Sequence, residues 1–488
     1  MERLEPPSYR LASALFLRLV AACFLVAFVS LWAQVHGLVG ARGILPVGPF
    51  LEGAREALGG DRYRLLPTLC WLDASDGALH VLCGGGAVVS LLALAGVAPA
   101  LCLALAWVFY LSLSVAGQVF LEFQWDLLLL EVGFLGIFLV APRLRPRAAW
   151  AVPPSPIALL LLRWLLFRLN FSSGLVKIAS GDPSWRSLTA LSHHYETQPL
   201  PTWTAWFMHQ LPASFQTASA LCLFAIELAV PFLIFGPRRA RRAAGAALAA
   251  LQIAIAATGN YAFFNLLSLT LCVLCFDDAA FPQRWRFAPP APEARGWPRW
   301  VLLAVAGVVF LATSVHLLAF AGGAIPLPRV AIGFAQALAP FRTTNGYGLF
   351  AVMTTERPEI VIEGSEDGVE WKPYEFRWKP GDVRRRPRFV APHQPRLDWQ
   401  MWFAALSTCD QNPWLQLFLG RLLQGSPPVV RLLRVNPFPD RPPRFIRAQL
   451  YDYKFTDFAT RRLTGAWWRR EAKGLYCPVF SREMLRAP

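Results

Sequence analysis

The chain has 488 residues, of which 55% are hydrophobic and 16% are charged, and it carries a net charge of +16. Soluble domains average about 25% charged residues, so this composition excludes a purely soluble protein and also a disordered one. The positive charge raises the question of nucleic acid. No recognition motif accompanies it, so no nucleic-acid partner is expected.

Nine apolar segments before residue 322 are candidates to cross a membrane, which takes about 17–25 residues. The first is expected to remain as a span, because no convincing small-residue cleavage site follows it. The connections at Glu122–Gln124 and Gly259–Tyr261 are very tight. Either pair of segments could therefore instead be a re-entrant or broken element that lines a cavity. The nine segments are 14–35, 78–96, 99–121, 125–141, 156–176, 214–236, 243–259, 261–276 and 300–321.

The distribution of arginine predicts the orientation, because short cytoplasmic loops carry an excess of Lys and Arg. A cytoplasmic N-terminus and nine crossings put 142–155, 237–242 and 277–299 inside, together with their arginines. Residues 36–77, 177–213 and everything after 322 then lie on the outer or luminal side. The inner arginines are Arg143, Arg145, Arg147, Arg238, Arg239, Arg241, Arg242, Arg284, Arg286, Arg295 and Arg299.

The polar C-terminal part predicts a small α+β domain. Alternating residues around an Asp-Gly turn in 359–378 indicate a hairpin. Residues 397–409 and 413–425 have helical spacing, and alternation returns at 444–455. We therefore predict an α-helical polytopic membrane bundle of about nine spans in residues 1–322, with a C-terminal α+β soluble domain in residues 323–488.

Ionisable residues inside the apolar segments are costly in hydrocarbon and mark candidate functional positions. Glu131 and Glu227 each have an arginine on an adjacent span as a possible partner, Arg168 among them. A buried ion pair would neutralise each glutamate and would need no catalytic role. The alternative is that these charged residues line a polar cavity. Lys177, at the end of a span, is expected to extend its ammonium toward the interface.

The outer loop 177–213 contains SHHYETQPLP, with His193, His194 and Glu196 close together. Adjacent histidines and a carboxylate suggest metal binding or proton transfer, but HHxE matches no zinc signature. The structural alternative is a loop folded over the mouth of the bundle, and the third alternative is contact with a client protein. Trp185 and Tyr195 would be interfacial anchors. Asp182 belongs to the same polar stretch.

Two further polar motifs have structural interpretations. Asn260 and Asn265, in TGNYAFFN, lie at a tight connection, where amides satisfy exposed backbone groups or line a pocket. PHQPRLDW contains His393, Arg396 and Asp398 just before a helix. Asp398 is expected to cap that helix or to pair with Arg396.

Cysteine usage allows one bridge on the outer side. Of nine cysteines, only Cys70, Cys409 and Cys477 lie outside in the predicted topology. Cys409 and Cys477 share the soluble domain, so they are the expected pair. Cys272 and Cys275 spell CxxC inside an apolar segment, where burial disfavours the thiolate, so a thioredoxin-like role is rejected.

Six long stretches together resemble the lipase maturation factor family over nearly the whole chain. The resemblance implies a multi-pass membrane protein, in the endoplasmic reticulum of animals and with a luminal C-terminal domain, that assists folding and assembly of secreted lipases. A bacterial chain would lie in the cytoplasmic membrane. The stretches are AGQVFLEFQWDLLLLE (116–131), RWLLFRLNFSSGLVKIASGDPSWRSLTALSHHYETQPLPT (163–202), TGNYAFFNLLSLTL (258–271), FRTTNGYGLF (341–350), RPEIVIEGSEDG (357–368) and PHQPRLDWQMWFAAL (392–406).

Three functional classes remain open. The leading hypothesis is a non-enzymatic membrane folding factor whose partners are membrane lipids and a secreted lipase or other exported client. A membrane enzyme acting on a lipid or polypeptide at the bundle mouth is the alternative. A transporter would need symmetric broken spans, and no repeat is present. The sequence has no GxSxG, P-loop, dinucleotide or HExxH motif, so no catalytic residue, cofactor or metal is expected.

Overall fold

The computed structural model describes residues 7–144, 152–285, 296–320 and 327–484. The expected domain boundary at 322/323 lies outside these described residues, as do Arg145, Arg147, Arg286 and Arg295. The described helices are α1 (Arg10–Trp32), α2 (Val35–Val39), α3 (Val47–Leu58), α4 (Arg62–Leu65), α5 (Asp76–Leu94), α6 (Pro99–Ala116), α7 (Gln124–Ile137), α8 (Pro156–Ala179), α9 (Pro183–Arg186), α10 (Ala190–Thr197), α11 (Trp203–His209), α12 (Ala213–Leu228), α13 (Arg238–Thr258), α14 (Phe264–Val273), α15 (Arg299–Ala319), α16 (Arg329–Leu338), α17 (Arg396–Ala405), α18 (Pro413–Leu423), α19 (Pro427–Val430) and α20 (Phe458–Thr464).

Seven of the described helices are long and apolar enough to cross a membrane: α1, α5, α6, α8, α12 with its extension to Phe235, α13 and α15. Two predicted spans are shorter. The segment 125–141 contains the 14-residue α7, and 261–276 contains the 10-residue α14. At 1.5 Å per residue these helices are roughly 21 and 15 Å long, less than the ~30 Å hydrocarbon core. The prediction of nine full-length spans is therefore not confirmed.

One end of the helical bundle is formed by residues near the N-terminus and the Arg238–Arg242 cluster, and we call it the basic end. Asp278 accepts hydrogen bonds from the backbone N–H groups of Leu11 (3.0 Å) and Ala12 (3.1 Å), so it caps α1. Asp277 pairs with Arg238 and Arg242 at the start of α13. α7 also runs toward this end, because a Cβ on Gly133 would meet Phe24 whereas one on Gly136 would meet Leu17, nearer the start of α1.

The opposite end carries the C-terminal part of the chain, and we call it the domain end. Gln34, just after α1, donates to the carbonyl of Gln394 at 2.7 Å. Asn260, between α13 and α14, accepts from the backbone N–H of Val390 at 2.8 Å. The short helices α7 and α14 therefore begin at the domain end and finish at the basic end, as complete spans would.

Close packing within the bundle depends on small residues. A Cβ on Gly86 of α5 would come within 2.2 Å of the Phe28 ring, and one on Gly133 of α7 within 2.6 Å of the Phe24 ring. Both glycines therefore let a neighbouring helix approach the aromatic side chains of α1. Phe28 and Phe24 are fully buried as a result.

The C-terminal part contains a four-stranded antiparallel sheet in the order β2-β1-β3-β4. The strands are β1 (Pro358–Ser365), β2 (Lys372–Pro373), β3 (Phe445–Phe455) and β4 (Trp468–Ser481). The hairpin predicted around Asp367-Gly368 is confirmed, with a second strand of only two residues. The two predicted helices and the strand at 444–455 are also present. β4 was not predicted, because its exposed, charged residues give it no regular apolar alternation.

The disulfide predicted between Cys409 and Cys477 is confirmed. It ties the turn before α18 to β4, across 68 residues of sequence.

Candidate functional site

Residues 177–213 fold into short helices above a cavity between α8, α12 and α13. Asp182 caps α9, since one carboxylate oxygen accepts from the N–H groups of Ser184 (2.8 Å) and Trp185 (3.2 Å). Its other oxygen accepts from the N–H of Met353 at 3.1 Å. Trp185 Nε1 donates to the carbonyl of Phe350 at 2.9 Å. This segment is thus fastened to the chain that follows α16.

The expectation that Trp185 and Tyr195 are interfacial anchors is wrong. Both side chains are buried and line the cavity. The polar N–H of Trp185 is satisfied within the protein, so its ring packs inward against Phe224.

The cavity has a volume of about 440 Å³, within the 300–1,000 Å³ typical of ligand sites. Its wall is mostly apolar. His194, Thr258 and Tyr261 lie at its domain end, whereas Glu227 lies further along α12 toward the basic end. The residues that line it are Lys177, Trp185, Leu191, His194, Tyr195, Met208, Phe215, Ser219, Cys222, Leu223, Ile226, Glu227, Ala250, Leu251, Ala254, Ile255, Thr258, Tyr261, Phe350 and Met353.

Lys177 and Glu227 form a buried ion pair on the wall of this cavity. Lys177 Nζ lies 2.8 Å and 3.1 Å from the two carboxylate oxygens and also donates to the carbonyl of Ser173 at 3.0 Å. The expectation that Lys177 reaches the interface is wrong, as is an arginine partner for Glu227. The side chain of Lys177 turns back along α8, where Glu227 of α12 neutralises it.

His194 lies beside this pair and contacts Tyr261 Oη through Nε2 at 3.2 Å. Burial, reinforced by Lys177, lowers the pKa of His194 to about 4. The imidazole is therefore neutral at pH 7. Ring contacts with Tyr195 and Phe350 fix its orientation.

His193 and Glu196 do not join His194. On the helix α10, His193 and Glu196 are three residues apart and share a face close to His209, whereas His194 lies on another face and lines the cavity. Glu196 accepts from the backbone N–H of Phe455 at 2.8 Å, and its carboxylate lies 3.7 Å from Nε2 of His209. His193 is half-buried. Within the described ranges no three His, Cys, Asp or Glu side chains are grouped to hold a metal ion.

Glu131 and Arg168 form the expected buried pair between α7 and α8. The sequence did not indicate what completes it. Glu131 also accepts from the Asn345 amide (3.0 Å) and from Tyr347 Oη (2.8 Å), and Arg168 donates to the carbonyl of Asn345 at 2.9 Å. Residues 343–350, in FRTTNGYGLF, thus run between the two helices.

Arg396 pairs with Asp126 of α7 in a bidentate contact, with both nitrogen–oxygen distances 2.7 Å. Tyr110 donates to the same carboxylate. The expected pairing of Arg396 with Asp398 is therefore wrong, and so is the helix cap. Asp398 instead accepts from the backbone N–H groups of Trp378 (2.8 Å) and Lys379 (2.9 Å), and burial raises its pKa.

Three other predicted positions bond to backbone carbonyls, to an amide or to a hydroxyl group. Asn260 donates to the carbonyls of Leu200 (3.0 Å) and Arg388 (2.8 Å). Asn265 donates to Gln252 Oε1 at 2.9 Å, joining α14 to α13. His393 contacts Ser30 Oγ at 2.8 Å.

The candidate residues therefore divide into separate groups. Lys177, Trp185, His194 and Tyr195 line the cavity, and Asp182 holds the short helix that carries Trp185. Most of the other candidates join the C-terminal part to the bundle or stabilise the bundle, whereas Asp398 is bonded within the C-terminal part. Sequence reasoning missed Phe350 and Met353 at the cavity, and Asn345, Tyr347 and Tyr110 in the ion-pair networks. The first four lie in or just after FRTTNGYGLF, which was singled out only for its resemblance.

The fold and site define a class: a polytopic helical membrane protein with a sheet-containing part on one end and an apolar cavity inside. The lipase maturation factor transmembrane domain matches residues 11–283, and the lipase maturation factor C-terminal domain matches residues 343–478. The chain belongs to the lipase maturation factor family.

Curated relatives cover most of both sequences. Lipase maturation factor 2 of Gallus gallus is 38% identical over 98% of this chain and 82% of its own length. Lipase maturation factor 2 of Homo sapiens is 38% identical over 95% of this chain and 81% of its own length. Lipase maturation factor 1 of Bos taurus is 36% identical over 99% of this chain and 91% of its own length. No solved structure matches.

Proposed function

We propose that this chain is a membrane-embedded maturation factor that assists assembly of secreted lipase-like clients. The observation that carries the proposal is the similarity to proteins named lipase maturation factor along almost the entire chain. The membrane enzyme is not favoured, because His194 faces away from His193 and Glu196 and the buried charges are paired.

The proposed topology puts the basic end in the cytoplasm and the domain end outside or in the lumen. Two observations support it. Arg238 and Arg242 lie at the basic end, where they pair with Asp277, as the excess of positive charge inside would require. The disulfide lies in the C-terminal part, and disulfides persist on the oxidising side of a membrane. Nine segments that connect the two ends, with α7 and α14 short, give an N-terminus inside and a C-terminus outside.

Residues 1–322 would then be the membrane domain and residues 323–488 the outer domain that meets the client, together with 177–213. The membrane is that of the endoplasmic reticulum for a eukaryotic chain and the cytoplasmic membrane for a bacterial one.

Reporter fusions test the topology. Alkaline phosphatase fused after Pro488 should be active, and a green fluorescent protein inserted in 237–242 should fluoresce. An inactive phosphatase together with a fluorescent reporter after Pro488 would overturn the nine-segment arrangement.

Complementation tests the function. The chain is expressed in cells that lack their own maturation factor, with a secreted lipase, and both lipase activity and lipase protein are measured in the medium. We expect activity per lipase molecule to rise. No rise, with a correctly inserted chain, would overturn the proposal.

Histidine variants separate the folding factor from the enzyme. His193→Ala and His194→Ala should each reduce the yield of active lipase only partly, because binding surfaces tolerate single losses. Removal of an essential acid or base would cost about 10²-fold or more. Complete loss from His194→Ala, with unchanged expression, would favour the enzyme.

A further inference from the structure

The cavity between α12 and α13 opens sideways. Phe215 and Cys222 line it and are also exposed on the outer surface of α12. The neighbouring outward faces carry exposed Leu221 on α12 and Ile253 on α13. Both helices qualify as membrane spans, so the surface around this opening is in contact with lipid. An occupant of the cavity would therefore come from the bilayer.

The charges in the cavity balance. Lys177 and Glu227 neutralise each other through two short contacts. Neither offers an uncompensated charge to a phosphate, a carboxylate or an ammonium. Because an unpaired charge is expensive to bury in an apolar wall, the occupant should be uncharged.

Hydrogen-bond directions at His194 specify more about the occupant. The side-chain Nε2 of Gln198 donates to the carbonyls of Tyr195 and Thr258, so its Oε1 can only accept, and Tyr261 Oη donates to it at 3.1 Å. Tyr261 has a single proton, so it must accept from Nε2 of His194. Nδ1 of this neutral imidazole is then an acceptor, and no described residue donates to it.

We propose that the cavity binds an uncharged lipid alcohol, with its acyl chain between α12 and α13 and its hydroxyl donating to Nδ1 of His194. His194, Thr258 and Tyr261 lie at the domain end of the cavity, and Leu223, Leu251 and Ile255 provide the apolar wall. The hydroxyl of an amphiphile in the leaflet next to the domain end therefore reaches His194 while its chain stays in hydrocarbon. This site is independent of the proposed client function.

Photo-crosslinking of the full chain in phosphatidylcholine nanodiscs tests the site. The probe is a monoacylglycerol with a diazirine and an alkyne in its acyl chain. We expect saturable labelling of peptides from 213–236 and 238–259, displaced by unlabelled monoacylglycerol. The diacetylated probe has no hydroxyl, and the lysophosphatidic acid probe adds a negative charge. Each should label at least about tenfold less, the loss expected for one missing hydrogen bond or one unpaired charge.

Two matched variants test whether the probe is labelling from within the cavity. Leu251→Trp fills the cavity and should reduce labelling about tenfold. Ile253→Trp lies two residues away on the lipid-facing surface and should leave labelling unchanged. His194→Phe should reduce labelling by the hydroxyl probe to that of the acetylated probe. Equal labelling by the hydroxyl and acetylated probes on the native chain would overturn the proposal, and this comparison needs no variant to fold. Equal labelling of the Leu251→Trp and Ile253→Trp proteins would overturn it too.

Discussion

Burial holds His393 in its neutral form. Its Nδ1 lies 2.8 Å from Ser30 Oγ, which also accepts from the backbone N–H of Gln394 at 2.9 Å. Burial, with Arg396 and Arg377 nearby, lowers the pKa of His393 to about 4.

This arrangement predicts a loss of stability in acid. The unfolded chain takes up the proton near pH 6.5, whereas folded His393 resists it down to about pH 4. The contribution of neutral His393 to the free energy of unfolding is thus complete above pH 6.5 and declines as the pH falls toward 4. In nanodiscs, the Tm from tryptophan fluorescence should fall less between pH 7.5 and 4.5 for His393→Asn than for the native chain. An identical fall in both would contradict the prediction.

The sequence predicted one buried ion pair correctly and another wrongly, and the difference has a physical reason. Glu131 and Arg168 lie on neighbouring apolar segments, where a lone charge has few possible partners, so their pairing was predictable. Arg396 and Asp126 are 270 residues apart. Only the docking of α17 onto the bundle brings them together, so local spacing wrongly favoured Asp398.

At the scale of elements, the Asp126–Arg396 pair joins α7 to α17. Asp126→Asn leaves a buried guanidinium without its counter-charge, so we expect a loss of about 3–5 kcal/mol of stability. Size-exclusion chromatography of a fluorescent fusion should show aggregation. The double variant Asp126→Leu/Arg396→Met removes both charges and should recover a monodisperse peak. Glu471→Gln breaks only the exposed pair with Lys473 and serves as the control.

The disulfide makes a second prediction about elements. Cys477 lies on β4, the edge strand, and Cys409 lies before α18. Cys477→Ser should cost about 2–5 kcal/mol and free the end of β4. Limited proteolysis followed by mass spectrometry should find new cleavage within 468–481. Cys222→Ser removes an exposed free cysteine and should leave the pattern unchanged. Equal resistance of the Cys477→Ser and Cys222→Ser proteins to proteolysis within 468–481 would contradict the prediction.

The two short helices show why composition located the spans but not their lengths. The apolar segments 125–141 and 261–276 were recognised because residues inside the hydrocarbon core of a membrane are mostly apolar. The residues before α14 make tertiary contacts instead of helix: Asn260 donates to the carbonyl of Arg388 in the C-terminal part, and Tyr261 donates to Gln198 of the 177–213 segment. A sequence pattern does not show which backbone carbonyls will accept hydrogen bonds from another element.

At the scale of the molecule, the C-terminal part depends on the bundle. Trp399 of α17 packs on Trp125 with ring centroids 4.6 Å apart, and Gln394 and Val390 bond to bundle residues. Residues 327–488 expressed alone should therefore aggregate, since this surface would be exposed. Co-expression with residues 1–326 should restore a complex that co-purifies. A monomeric fragment with a cooperative thermal transition would contradict this prediction.

The passage of residues 343–350 between α7 and α8 also sets an order of assembly. Asn345 is made 177 residues after Arg168 and 214 residues after Glu131. During synthesis, these two charged side chains enter the membrane long before the segment that completes their hydrogen bonds exists. The hydrogen bonds of Glu131 and Arg168 are therefore completed only after α15 and α16 have been made and residue 345 has left the ribosome. A segment synthesised late thus completes the contact between two helices made early.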